Sequence, residues 1–113
     1  MIKKSCPARE LRKSEGGMVD GHALELAARQ ECYGHVRLFN RMTLDPGQSV
    51  SYHTHGDETE FYYILSGTPT ANDNGQEVLM EPGQVMVTGN GDGHALENRT
   101  DGPVEFIAMI VCK

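Results

Sequence analysis

From Val36 onward, apolar and polar positions alternate in short runs, and turn residues separate the runs. In Val36–Leu44, Val36, Leu38, Met42 and Leu44 fall on one face and Arg37, Arg41 and Thr43 on the other. That period of two is the signature of a half-buried strand. Asp45-Pro46-Gly47 supplies a turn, and Ser49–His55 is predicted as the next strand. Gly56-Asp57 makes a tight turn into Glu60–Leu65, a strand rich in aromatic and β-branched residues that Ser66-Gly67 ends. Thr68–Ala71 and Gln76–Met80 flank Asn72-Asp73-Asn74-Gly75, whose Asn-Gly pair is a strong hairpin signal. Glu81-Pro82-Gly83 precedes a strand at Val85–Thr88, and the Gly89–Gly93 loop leads into His94–Asn98. Thr100–Pro103 turns the chain into a last strand, Val104–Val111.

Strands this regularly spaced, with no convincing helix between them, predict an all-β antiparallel sandwich or barrel. Residues 1–35 are less patterned. Ala8–Glu15 reads as one helical turn or an arm, and His22–Ala28 as an edge strand. The expected organisation is a single domain over 1–113, with an N-terminal arm and edge strand in 1–35 and a β-barrel in 36–113.

A chain of 113 residues with 38% apolar content is long enough for a core without disulfide staples. The net charge of −6 has no basic stripe within it, which argues against nucleic acid and anionic membranes as partners. The longest apolar run, Phe106–Cys112, is too short to span a bilayer as a helix. The basic start, Met1–Lys4, lacks the apolar segment of a signal peptide. Cys6, Cys32 and Cys112 are odd in number and far apart, which fits reduced thiols and a cytoplasmic location. The glycine-rich loop opens a strand and lacks the Lys-Ser/Thr ending of a phosphate loop, so phosphate binding is disfavoured.

The chemistry concentrates at His53-Thr54-His55. Residues two apart on a strand share a face, so this pair presents two imidazoles together. A carboxylate and a third imidazole from neighbouring strands would complete a nitrogen-and-oxygen set suited to a first-row divalent metal. Glu60, which shares its predicted face with Tyr62 and Ile64, and His94, which shares its face with Leu96 and Asn98, are positioned for this. Glu58 and Asp57 are rival carboxylates. A lone strand histidine is more often a hydrogen-bonded structural residue, and His22 and His35 are read that way, as surface or loop histidines.

In their spacing these residues resemble the cupin superfamily. Its first motif runs Gly, five residues, His-x-His, three or four residues, Glu, six residues, Gly; Gly47, His53, His55, Glu60 and Gly67 fill it. Its second runs Gly, five residues, Pro-x-Gly, two residues, His, three residues, Asn; Gly83, Gly91, His94 and Asn98 match. Gly89 stands where the family usually has Pro, and Gln84 where an Asp is common. The resemblance implies a double-stranded β-helix, or jelly-roll barrel, with His53, His55, Glu60 and His94 holding one divalent transition metal: Mn, Fe, Ni, Zn or Co. The motif's distance to Gly67 selects Glu60 over its rivals.

Cupins with this ligand set include isomerases of sugars and sugar acids, decarboxylases and dioxygenases. The function expected is that of a metal-dependent enzyme acting on a small polar substrate such as a sugar acid, keto acid or dicarboxylate. A non-catalytic, metal-bearing module that binds a small ligand as a sensor or carrier is the alternative, and a barrel serving mainly for assembly is a third. Tyr62 and Glu58 are the candidates for moving protons. Asn40, Met42, Tyr62 and Phe106 are candidates for the pocket, with Tyr62 equally readable as barrel core and Met42 as filler. A polar Asn40 on an apolar face needs a partner if buried. Arg37 and Arg41, on the opposite face, are read as solvated. Short cupins commonly pair through sheet edges, so a homodimer is expected.

Overall fold

A computed structural model describes residues 1–113 as ten strands and two short 3-10 turns, Lys13–Glu15 and Arg29–Cys32. The strands are β1 (Ala8–Leu11), β2 (Val19–Glu25), β3 (Val36–Leu44), β4 (Ser49–Thr54), β5 (Glu58–Ser66), β6 (Thr70–Asp73), β7 (Gln76–Leu79), β8 (Val85–Gly89), β9 (Gly93–Glu97) and β10 (Val104–Cys112). They form one curled antiparallel sheet in the order β7-β6-β9-β4-β2-β3-β10-β5-β8, with β1 beside β2. This is the jelly-roll barrel of the cupins. No helix is long and apolar enough to cross a membrane.

Pairing in register makes rows across the concave face, because residues directly opposite on neighbouring strands point the same way. One row runs Ala23, Met42, Phe106, Ile64, all buried. The next runs Glu25, Asn40, Ala108, Tyr62, Met86. The third runs Leu38, Ile110, Glu60, Thr88. The interior thus changes from wholly apolar at one end to polar at the other. Leu44, Ile64, Leu96, Val104 and Phe106 have no solvent exposure, and burying side chains of this size contributes about 1.5–3 kcal/mol each.

Asn98 closes the apolar end. Its Nδ2 donates to the carbonyls of Leu44 and Gly102, both at 2.8 Å. Its Oδ1 accepts from the Thr100 N–H at 2.9 Å and the Thr100 hydroxyl at 2.7 Å. The β6–β7 hairpin turns through Asn74 and Gly75, with φ of 51° and 98°. Two positive φ values match the strand twist and suit the Asn-Gly pair.

The N-terminal segment departs from the sequence expectation twice. Ala8–Glu15 is not one helical turn: Ala8–Leu11 pairs with Leu24–Gly21 as a strand, and only Lys13–Glu15 coils. The strand expected at His22–Ala28 begins earlier, at Val19, and is not an edge. It pairs with β1 and β3 through Gly21–Glu25 and with β4 through Val19 and Asp20, so it turns the corner between the two walls. Gly21 permits the corner, since a Cβ there would lie 2.9 Å from both Leu44 Cδ2 and the Thr43 carbonyl. The period-two pattern of this segment is short and interrupted by glycine, which hides a strand shared by two walls.

Candidate metal centre

The four residues of the two motifs meet inside the polar end of the barrel. His53 lies on β4, His55 just beyond it, Glu60 on β5 and His94 on β9. Glu60 and His94 face inward by plain alternation, but β4 does not alternate. Val50 is buried in the core while Tyr52 is exposed, and the pairing with β9 shifts between Val50 and His53. This bulge reverses the phase, so that Val50 and both histidines point inward although an odd spacing separates them. On the far side, Gly93 packs flat against the Tyr52 ring, where a Cβ would overlap it.

The candidate donor atoms crowd around one carboxylate oxygen. Glu60 Oε1 lies 2.8 Å from His94 Nε2, 2.9 Å from His55 Nε2 and 3.4 Å from His53 Nε2. His94 Nε2 is 3.1 Å from His53 Nε2 and 3.2 Å from His55 Nε2. Neighbouring donors at right angles around an ion bound at about 2.1 Å sit about 3.0 Å apart. The donor set and its spacing therefore fit a single divalent ion.

The outer nitrogens fix the tautomers. His53 Nδ1 is 2.8 Å from the Ser51 carbonyl, and His55 Nδ1 is 2.9 Å from Glu58 Oε1. Each Nδ1–H donates outward and turns Nε2 toward Glu60, the arrangement that orients an imidazole to ligate once Nε2 gives up its proton. Glu58 is itself gripped by Arg37 through contacts of 2.7 and 3.0 Å. His94 is set differently: its Nδ1 is buried with no hydrogen-bond partner, as is Thr88 Oγ1. Its ring is held by stacking on Tyr62, centroids 4.5 Å apart and planes 14° apart, with Phe106 edge-on behind Tyr62.

Electrostatics follow the packing. Burial pushes the Glu60 carboxyl up, but hydrogen bonds with His53 and His94 and the charges of His94 and His55 outweigh it and hold it at about 2. The same hydrogen bond with Glu60 raises His53, whereas burial lowers His94. The Arg37 guanidinium holds Glu58 below its ordinary value. Burial, then the Glu60 charge, push the Tyr62 phenol well above its ordinary value.

The remaining expected residues fall in several places. Glu58 stands behind His55, ionised and committed to Arg37, which leaves it poorly suited to moving protons. Met42 packs in the core cluster, and Phe106, fully buried, supports Tyr62 and has no surface for a ligand. Asn40 is buried on the wall facing Tyr62. His22 bonds the Asp45 carboxylate at 3.0 Å on the outside, and His35 is exposed. Arg37 was read as solvated, yet it is half-exposed and holds Glu58; its only sequence trace is a charge opposite to Glu58's. The bulge in β4 leaves a fainter trace, Val50 standing out of phase with the two histidines.

The chain belongs to the cupin family: residues 40–110 match the Cupin domain. It is 38% identical over 96 residues to the oxalate-binding protein of Thermotoga maritima, covering 85% of this chain and 79% of that one. Among solved structures it resembles a predicted oxalate decarboxylase from Thermotoga maritima, with a TM-score of 0.91, 34% identity and complete coverage (100%) of both chains. A cupin sugar phosphate isomerase from Silicibacter pomeroyi shares the fold at a TM-score of 0.75 and 26% identity, over 96% of this chain and 73% of that one.

Proposed function

We propose that the protein is a metal-dependent cupin that binds a small dicarboxylate of the oxalate class at His53, His55, Glu60 and His94. The observation that carries this reading is the convergence of three imidazole nitrogens on one Glu60 oxygen inside the barrel. The likeness to an oxalate-binding protein supports the choice of acid. A divalent ion held by these residues supplies the positive charge that draws in a carboxylate and polarises its C–O bonds. The chain's own groups do the rest. Ser51 and Glu58 keep two imidazoles turned inward, Glu60 stays ionised, and Tyr62, which keeps its proton at neutral pH, can donate a hydrogen bond but cannot serve as a base.

Turnover is the second reading, favoured by the likeness to the predicted oxalate decarboxylase. Binding has the stronger support, because Glu58, the carboxylate beside His55, is tied up by Arg37. The rest of the reading is a single-domain, cytoplasmic protein that pairs with a second copy through the open β8 edge. Tyr63, Leu65, Val85 and Val87 are 37–55% exposed there.

The test is metal analysis of protein purified without added metal, followed by calorimetric titration of oxalate into loaded and chelator-stripped protein. Saturable binding by the loaded form alone is expected, and equal binding by the stripped form would sink the proposal. Release of carbon dioxide or formate from oxalate would decide for turnover.

A further inference from the structure

Two of the three histidines of the centre have their outer nitrogens answered, His53 by the Ser51 carbonyl and His55 by the Glu58 carboxylate. That of His94 is not. Its Nδ1 is buried and unpartnered, while its Nε2 lies 2.8 Å from Glu60. A neutral imidazole that ligates through Nε2 carries its proton on Nδ1, and a buried N–H without an acceptor costs folding free energy. The third histidine therefore calls for an acceptor close to its ring.

The strand beside β9 holds one. Asp73, the last residue of β6, stands directly opposite His94 in the ladder. The next pair along, Asn74 and Gly93, is joined by a backbone hydrogen bond of 2.9 Å. Bonded and non-bonded pairs alternate in an antiparallel ladder, so Asp73 and His94 form a non-bonded pair. In such pairs the Cα atoms approach to about 4.5 Å and the side chains are closest. Register also gives the two side chains one face, the inner one, where Ala71 and Leu96 make the buried pair two residues away.

The hairpin turn does not occupy the Asp73 carboxylate. Its side-chain bonds come from Asn72 Oδ1, which accepts from the Gly75 N–H at 2.7 Å, and from Asn74 Oδ1, which accepts from the Gly93 N–H at 3.2 Å. The second of these pins the hairpin to β9 and holds Asp73 beside His94. No cation claims it either: β6 and β7 carry no basic residue, and Arg99, which reaches β7, is taken by Glu77 and Glu97. Asp73 is exposed and lines an open groove with Ala71, Met80 and Met86, which gives its side chain room to turn. Thr88 holds the other unpartnered buried atom, but it sits on β8, which has no ladder with β9.

We infer that Asp73 is a positioning residue of the centre: a turn about its side-chain bonds brings its carboxylate to accept the Nδ1–H of His94, as Glu58 accepts that of His55. This rests on the reading of the centre as a metal site. A carboxylate in that place fixes the ring and makes its Nε2 a better ligand.

The test uses full-length protein with zinc as the probe, a d¹⁰ ion that leaves magnetic resonance spectra undisturbed. Zinc affinity is read by chelator competition, and the imidazole N–H protons by nuclear magnetic resonance. Asp73→Ala is expected to lower zinc affinity roughly 10- to 100-fold. It should also remove the protected Nδ1–H signal of His94 while those of His53 and His55 remain. Asp73→Asn, which keeps an acceptor in the same place, is expected to lose less affinity and keep the signal, and Thr88→Val is expected to keep it too. Unchanged zinc affinity in Asp73→Ala, a His94 signal that survives there, or the same signal loss in Thr88→Val would overturn the inference. So would a loss of affinity in Asp73→Asn as deep as in Asp73→Ala, which would assign the effect to charge alone. If wild-type protein holds no zinc, the metal reading and the inference both fall; if wild type holds zinc and the Asp73 variants match it, only the inference falls.

Discussion

At one end of the barrel, around Leu44, Asn98 and Val104, the interior is apolar and its polar side chain Asn98 uses both amide atoms. At the other end, Glu60, Thr88 and His94 are just as buried, yet three imidazole nitrogens crowd one carboxylate oxygen and His94 Nδ1 and Thr88 Oγ1 have no partner. The same strands run through both ends, so the difference lies in side chains alone. One end is complete as folded; the other has donors and acceptors left over. Buried polar groups that satisfy one another stabilise, and those that do not mark a place for something the chain does not provide.

The sharpest way to break this comparison is to exchange the losses. His94→Ala or His53→Ala should abolish stoichiometric metal in protein that remains folded, read by elemental analysis beside circular dichroism. Asn98→Ala should do the reverse. It leaves the Leu44 and Gly102 carbonyls and the Thr100 donors without partners, a loss of about 3 kcal/mol by denaturant titration, with metal content retained in the folded fraction. If Asn98→Ala loses metal as completely as His94→Ala, the two ends are not separable.

Acid should next distinguish them. The Glu60 carboxyl ordinarily titrates at 4.5 and sits at about 2 in the folded chain. Between those values the unfolded chain binds more protons, so stability rises with pH there. The contribution is fully present above about 4.5 and is lost as pH falls toward about 2. Stripped wild-type protein should show that acid limb in its unfolding free energy and Glu60→Gln should show less of it; identical limbs would place the titration elsewhere. Arg37→Ala should have the smallest effect. Its pair with Glu58 is half-exposed, so stability should change by less than about 1 kcal/mol. Metal affinity should fall about 10-fold through the loosened His55, measured by chelator competition.

Much of the fold was legible because alternation and turn residues report directly on strands. Val36–Leu44 and Glu60–Leu65 show the expected inward faces, and the Asn74-Gly75 turn has the backbone its residues imply. The four residues of the centre were nameable because their spacing is carried by two short motifs, and the fold brings them together. What escaped was long-range. The corner made by β2 depends on Gly21 meeting Leu44, and the grip of Arg37 on Glu58 spans two strands that are not adjacent in sequence. Alternation predicts that a side chain faces inward; it does not say that the Asn98 amide would be fully bonded to Leu44, Gly102 and Thr100.

The bulge between Val50 and His53 has a consequence for how this barrel can be altered. It works as a gear change: residues before it set the packing of the core, residues after it set the aim of the imidazoles, and one extra position keeps the two in step. Removing a single residue there, such as Ser51, would leave Val50 and His53 two apart opposite Leu96 and His94, so both histidines would keep their inward face by plain alternation. What would go is the bend of the strand and the Ser51 carbonyl that holds His53 Nδ1. The product would be a barrel with the same imidazoles more loosely aimed, differing from its parent by one link of chain.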